Sequence, residues 1–329
     1  MVKNTLRTVG ILSLCLAVLP GLAAQNTHKV TDPLGRTVEI PGTVSRYVCM
    51  GQGCLRTLCY LQAISGVVGV EQQEKKSGYA SVRPYMERNA SLKKLPSIGP
   101  GTRGDAELIL SCAPQVIFWT NAAPEDLDRM QQKTGIPVLG MTAGNFADQK
   151  TEFLQTLHFL GKTLGKEARA DSVEAFLNQQ LADLSSLGKK IPATTKAYAG
   201  GLAFQGCHGL SATQPGFTPF KMLGISNVAA SVHSPGGSPV QVDLEQVLLW
   251  NPDVLFIDQA CQESVDADFN KSAMLLALKK KSVSIWPSNS YGDNWELTLA
   301  NAFKIGYTLT RQGDAEQKKK AILDFLLGR

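Results

Sequence analysis

The 329-residue sequence predicts an α/β protein of two similar lobes with mainly parallel sheets, joined by one long α-helix. Two observations carry this expectation. The first is a near-repeat: Asp105-Ala-Glu-Leu-Ile-Leu-Ser-Cys-Ala-Pro-Gln-Val-Ile-Phe118 and Asp243-Leu-Glu-Gln-Val-Leu-Leu-Trp-Asn-Pro-Asp-Val-Leu-Phe256 align without a gap, 138 residues apart. That period far exceeds a solenoid unit, so it marks two lobes and not a stacked array. The second is residues 148–187, which lie between the copies and carry almost no strand pattern.

Each copy reads physically in the same way. The acidic Asp-x-Glu pair suits the exposed amides and positive dipole at a helix start, and apolar residues follow at helical spacing. Proline then stops the helix, and a short apolar run after it reads as a buried strand. A helix feeding a buried strand, twice over, is the pattern of layered α/β lobes.

The remaining elements follow in chain order. Residues 1–24 read as a secretory signal: Lys3 and Arg7 precede an apolar run at residues 9–19, and Gly21-Leu22-Ala23-Ala24 supplies a small-residue cleavage site. The run is too short to span a bilayer. Residues 30–41 read as a β-hairpin turning at Asp32-Pro33-Leu34-Gly35, and residues 47–50 as a strand entering Gly51-Gln52-Gly53 and an amphipathic helix over 54–63. Val67-Val-Gly-Val70 is the next strand. Residues 71–103 form a long polar stretch rich in Gly and Pro, the character of a loop at a cleft edge. After the first repeat copy come a helix over 126–134 and a strand over 136–139. A helix then ends near Gly165, and a second runs over about 166–187 with Val173, Leu177, Leu181 and Leu184 at helical spacing, on the order of 30 Å long. It reads as a rigid spar between lobes. Strands at 196–201 and 282–286 bracket the second copy, and closing helices end at Leu327. The expected division is signal segment 1–24, N-terminal lobe 25–147, helical segment with spar 148–190 and C-terminal lobe 191–329.

Charge narrows the partners. The sequence carries 33 basic and 28 acidic residues; loss of Lys3 and Arg7 with the signal leaves a charge of +3, too weak an imbalance to indicate nucleic acid. Six cysteines remain after cleavage: Cys49, Cys54, Cys59, Cys112, Cys207 and Cys261. None forms a Cys-x-x-Cys, and either buried thiols or one or two structural bridges suit an exported protein.

Ligands in such sheets bind beyond the carboxyl ends of the strands, which singles out the loops at 51–56, 201–209 and 287–295. From these loops and the 71–103 stretch, the candidate ligand-binding residues are Gln52, Arg56, Arg83, Arg103, His208, Tyr291 and Trp295. Arginine offers always-charged donors suited to carboxylate or catecholate oxygens, and aromatic rings pack against ligand rings. Histidines at 28, 158, 208 and 233 are scattered, which favours a metal that arrives already chelated over direct coordination.

Taken together, Asp32-x-x-Gly-Arg-x-Val38, Val67-Val-Gly-Val70, Leu95-Pro-Ser-Ile-Gly99, the paired Glu motifs and Asn251-Pro-Asp-Val254 resemble the periplasmic substrate-binding proteins of ABC importers for iron-siderophore complexes and cobalamin. The similarity runs from Thr31 to Leu327. Tyr198-Ala-Gly-Gly-Leu-Ala-Phe-Gln-Gly-Cys-His-Gly209 and Pro84-Tyr85 resemble a subgroup that binds iron complexes. The resemblance implies capture of an iron(III) chelate between the lobes and delivery to a dimeric inner-membrane permease, with Glu107 and Glu245 docking onto it. Cobalamin, haem and molybdate or tungstate are the alternative cargoes of that class, and a periplasmic thiol or metal enzyme is the rival class. No Gly-x4-Gly-Lys-Ser/Thr loop, His-Glu-x-x-His helix or Gly-x-Ser-x-Gly elbow is present, so neither an enzyme activity nor a cofactor is expected.

Overall fold

The computed structural model describes residues 26–76, 83–288 and 294–328. The signal segment and the candidate Tyr291 lie outside the described residues. The chain opens with an antiparallel hairpin, β1 (Thr27–Thr31) and β2 (Thr37–Pro41), closed by the turn Gly35 N to Asp32 O at 2.8 Å. Asp32 is buried, and its carboxylate accepts from the backbone of Leu34, Arg36 and Gly140. One short polar side chain therefore fixes the turn and pins the hairpin to the first lobe.

That lobe holds β3 (Tyr47–Met50), α1 (Cys54–Tyr60), β4 (Val67–Gly69), α2 (Pro84–Arg88), α3 (Ala106–Ser111), β5 (Val116–Thr120), α4 (Pro124–Thr134) and β6 (Val138–Met141). Its four strands are all parallel, in the order β4-β3-β5-β6. Helices α5 (Lys150–Thr163) and α6 (Glu167–Gly188) follow, separated at Gly165, whose φ of +64° ends the first. The second lobe holds β7 (Ala197–Gly200), β8 (Ala212–Thr213), α7 (Thr218–Leu223), β9 (Val240–Gln241), α8 (Leu244–Trp250), β10 (Val254–Asp258), α9 (Gln262–Phe269), α10 (Ala273–Lys279) and β11 (Ser282–Ile285). Its sheet runs β11-β10-β7-β8-β9, with β7, β10 and β11 parallel and β8 and β9 antiparallel. Outward from their first strands, β4-β3-β5-β6 and β8-β7-β10-β11 share one order. The repeat read in the sequence is thus a repeat of topology, with β8 reversed relative to β4. The two-residue strands β8 and β9 are too short to show a period in the sequence.

Alternation sorts the strand residues between cores. Tyr47, Cys49, Val116 and Phe118 face a large central cluster that also takes in Phe256, Phe220 and Phe303. Val48, Met50, Ile117 and Trp119 face a smaller outer cluster with Ile109, and Leu255, Ile257 and Tyr198 face its counterpart with Val247. Strands buried on both sides read as continuous apolar runs for this reason. The repeat-matched Ile109 and Val247 are the buried residues of α3 and α8. Both helices end in a left-handed residue directly before proline, Ala113 (φ +47°) and Asn251 (φ +43°). Asparagine tolerates that conformation and alanine does not, so Ala113→Gly is expected to stabilise the fold by about 0.5–1 kcal/mol, a rise of about 1–3 °C in melting temperature. An unchanged or lower melting temperature would count against strain at this turn.

Helix α6 buries Ala170, Val173, Leu177, Gln180, Leu184 and Leu187, a stripe at spacings of three and four. It ends in tight contact with the second lobe: a Cβ on Gly188 would lie 1.9 Å from the Leu223 carbonyl oxygen. The chain closes with α11 (Trp295–Thr310), buried almost throughout its first three turns, and α12 (Ala315–Leu327). These helices return to the first half of the chain. α12 packs on α1 and α2, Arg88 pairs with Asp324 at 2.8 Å, and Phe325 stacks on Phe176 of α6 at 4.0 Å between ring centroids. Among the described residues no helix is long and apolar enough to cross a membrane.

Candidate functional site

The loop leaving β3 is held from every side. Gly51 and Gly53 both take left-handed φ, +84° and +81°, and a Cβ on Gly51 would come within 2.3 Å of the Thr120 carbonyl oxygen. Gly51 N donates to the buried Glu71 carboxylate at 3.0 Å, and Thr120 Oγ1 donates to the Gln52 carbonyl at 2.8 Å. A Cys49–Cys54 disulfide closes the base of the loop. In the second lobe Asp258 holds the repeat position of Thr120; its buried carboxylate accepts from Ser288 N at 2.9 Å and Ala260 N at 2.8 Å, anchoring the segment after β11. Burial pushes the Asp258 carboxyl up, and the bonds from Ser288 and Ala260 partly offset this. A Cys207–Cys261 disulfide ties the loop after β7 to the end of β10, while Cys59 and Cys112 are free and buried. Two bridges and two buried thiols settle the alternatives left open by the cysteine count.

These strand ends frame a cleft of about 560 Å³. The first lobe contributes Gln52, Gly53, Arg56, Asn121, residues 142–145 and Gln149; the second contributes Phe204, Gln214 and residues 236–239, and Trp295 at the start of α11 completes it. Among the described residues lining the cleft, Arg56 is the one charged side chain. It is 1% exposed. Its guanidinium lies between the rings of Tyr85 and Trp295, at 5.0 and 4.8 Å from their centroids, with Nε 3.4 Å from Glu296 Oε2. Tyr60 donates to the same Glu296 oxygen at 2.7 Å. Among the described residues no hydrogen bond satisfies Arg56 Nε or Nη2. Burial by itself would lower the Arg56 pKa, but Glu296, Tyr85, Tyr60 and Glu74 outweigh it and the net shift is upward, so the group stays charged.

The sequence candidates separate by position. Gln52, Arg56 and Trp295 line the cleft. Arg103 lines an adjoining hollow of about 310 Å³ that shares Gln52 and Asn121 with it. Arg83 does not reach the cleft: it is 2% exposed, lies 3.3 Å from Glu74 and donates to the Lys76 carbonyl at 3.1 Å. The polar 71–103 stretch is therefore not simply a cleft-edge loop. Its described residues carry α2 and two short 3₁₀ turns, and bury Glu71, Glu74, Arg83 and Tyr85 behind the site. His208 is exposed outside the cleft, its Nε2 3.1 Å from the carbonyl oxygen of Phe204, so the residue reaching the cleft from that loop is Phe204.

Asn121, the 142–145 segment, Gln149 and Gln214 were not singled out by sequence. The first two directly follow β5 and β6, so they too lie at the carboxyl ends of strands. The Asn145 side-chain oxygen is engaged internally, accepting from the backbone of Ala147 and Asp148 at 2.8 Å each. Among the described residues no three His, Cys, Asp or Glu side chains are grouped to hold a metal ion. Glu107 and Glu245 stand exposed in the first turns of α3 and α8. Asp105 does the capping in α3, accepting from the amides of Glu107 and Leu108 at 3.0 Å, which leaves the Glu107 side chain free of that task.

The chain resembles known proteins over most of its length. It is 26% identical over 324 residues to the molybdate-binding protein MolA of Haemophilus influenzae, covering 90% of this chain and 87% of that one. The solved structure of MolA bound to molybdate superposes with a TM-score of 0.67 at 20% identity, over 92% of this chain and 98% of that one. A periplasmic solute-binding protein from Veillonella parvula does so with a TM-score of 0.70 at 17% identity, over 92% and 94%. These structures share the fold described above. Residues 66–289 match the family model described as periplasmic binding protein, a span that includes both copies of the repeat, and the chain belongs to that family.

Proposed function

We propose that this protein captures a small anion in the interlobe cleft in the periplasm and delivers it to an ABC permease, and that the anion is an oxyanion of the molybdate or tungstate type. The observation that carries the reading is Arg56: a buried, permanently charged guanidinium, with Nε and Nη2 accepted by no hydrogen bond among the described residues, at a cleft whose described lining is otherwise uncharged and mixes side-chain amides, hydroxyls and glycine backbone with Ala143, Pro239 and the rings of Phe204 and Trp295. Among the described residues this lining supplies hydrogen-bond donors without a competing carboxylate, as a fully ionised oxyanion needs. The likeness to MolA across 90% of the chain supports the same choice. Gln52, Arg56 and Trp295 are the candidate contacts, Arg103 a candidate in the adjoining hollow, and Glu107 and Glu245 the candidate permease-docking pair.

An iron(III) chelate, the cargo expected from sequence, is the second reading. A cleft of about 560 Å³ exceeds what one oxyanion fills, and Phe204, 38% exposed, offers it a ring. Calorimetric titration with molybdate, tungstate, sulfate and a ferric catecholate separates the two. The oxyanion reading expects one-to-one binding of molybdate with a Kd below about 1 μM, worth about 8 kcal/mol, and at least about tenfold weaker sulfate. Binding of the ferric chelate alone would overturn it in favour of the second.

A further inference from the structure

The cleft is larger than a bare oxyanion, and its two walls differ in chemistry. A tetrahedral oxyanion is one metal atom and four oxygens, on the order of 100 Å³ at a water-like share per oxygen. The cleft holds about 560 Å³ and shares Gln52 and Asn121 with the hollow of about 310 Å³ that Arg103 lines. Clefts of that size take ligands with ring systems. Arg56 is buried in the wall of the first lobe, while Phe204 presents a ring, 38% exposed, from the second. An oxyanion answers the first wall and leaves the second facing water.

The backbone around Phe204 is built to hold that ring in place. Phe204 N donates to the Gly206 carbonyl at 3.0 Å, its own carbonyl oxygen lies 3.1 Å from His208 Nε2, and Gln205 takes a left-handed φ of +52°. Such conformations at non-glycine residues persist only where the surroundings hold them, and they cluster at ligand contacts. The Cys207–Cys261 disulfide ties this tip to the turn after β10, where the buried Asp258 accepts from Ala260 N at 2.8 Å. A ligand that satisfies both walls carries anionic oxygens on one side and an apolar face on the other.

We infer, on the reading that this cleft takes an oxyanion, that the oxyanion metal arrives held by aromatic diols, as an oxo-molybdenum or oxo-tungsten catecholate dianion, with its oxygens at Arg56 and a catecholate ring against Phe204. The complex forms in solution without a redox partner. One molybdate dianion and two catechol molecules give one dioxomolybdenum bis(catecholate) dianion and two waters. Four bonds from the metal to catecholate oxygens form, two metal–oxo bonds break, and the four catechol protons leave with those two oxygens as water. The metal stays hexavalent, so the charge offered to Arg56 is that of molybdate itself. What the ligand gains is ring surface, and ring contact with Phe204 adds affinity that a bare oxyanion cannot draw on. No three His, Cys, Asp or Glu side chains among the described residues are grouped to coordinate a metal, and a centre that brings its own oxygens needs none.

The test is titration of the unaltered protein and of Phe204→Ala with sodium molybdate, with catechol, with molybdate in excess catechol, and with a ferric catecholate. Calorimetry gives the affinities, and ultrafiltration shows which visible absorption stays with the protein. Molybdate is colourless and its catecholate complex is not, so a retained band reports the complex itself. The expected result is one complex per protein, bound at least about tenfold more tightly than molybdate and than the ferric catecholate, with no binding of catechol alone. Phe204→Ala is expected to reduce the preference for the complex over molybdate by about tenfold. Molybdate bound as tightly as its complex, catechol bound by itself, or a preference that Phe204→Ala leaves intact would overturn the inference while the oxyanion reading stands. A ferric catecholate bound as tightly as the molybdenum complex, or more tightly, would overturn the inference in favour of the iron chelate. Binding of neither molybdate nor its complex would remove the oxyanion reading, and this inference with it.

Discussion

Arg56→Ala is expected to abolish measurable ligand capture and also to cost about 3–5 kcal/mol of folding stability. Both losses have the same source. Among the described residues the guanidinium is the charged group lining the cleft, and it is also the partner of the fully buried Glu296 and the filling between the Tyr85 and Trp295 rings. An arginine on an exposed loop would contribute only about 1.5–3 kcal/mol to binding and nothing to the fold. Arg56→Met combined with Glu296→Gln removes the pair together and keeps most of the volume. This double variant should recover most of the lost stability without recovering ligand binding, since a buried pair replaced as a unit is often close to neutral. Thermal melts and titration of the two variants are the measurements. Ligand affinity in the double variant equal to that of the unaltered protein would take Arg56 out of the site.

The Glu107→Ala, Glu245→Ala double variant is expected to bind ligand in solution as the unaltered protein does and to lose nearly all transport. Both carboxylates are exposed in matched first turns, with Leu108 at 42% and Leu249 at 78% exposure on the same helices. Two like-charged patches on two similar lobes suit a two-fold symmetric partner. Changing both to Lys should be worse than Ala, because it would place like charges together at the proposed docking surface. If the two glutamates merely complemented helix dipoles, the double variant would lose a fraction of a kcal/mol per site and transport would be normal. Uptake by cells carrying each variant, with titration of the purified protein alongside, decides the matter. Full uptake by a folded double variant would reduce these residues to helix-end acids.

The sequence by itself determined the repeat, the α/β class, the long α6 and the loops at the strand ends, because each depends on local pattern. Proline after an amphipathic turn, alternating apolar residues and a stripe at three and four are written in consecutive residues and read without knowing what packs where. That Gln52, Arg56 and Trp295 border the cleft was legible for the same reason: they fall in the strand-end segments, Gln52 in the loop after β3, Arg56 in α1 directly after it and Trp295 at the start of α11. What an arginine does there was not legible. Arg56, Arg83 and Arg103 look alike in one dimension. Only tertiary structure set the first at the cleft with two N–H groups that no described residue accepts, paired the second with Glu74 behind it, and placed the third beside an adjoining hollow. The buried acids illustrate the same limit, since Glu74 and Glu296 lie 222 residues apart and meet around Arg56 only because α11 folds back on the first lobe. Burial and pairing are sums over distant segments, and the energy of a buried charge depends on which partners those segments bring within a few ångströms. Local pattern fixes where the backbone turns; the chain's return on itself decides which of its charges are paired behind the cleft and which border it.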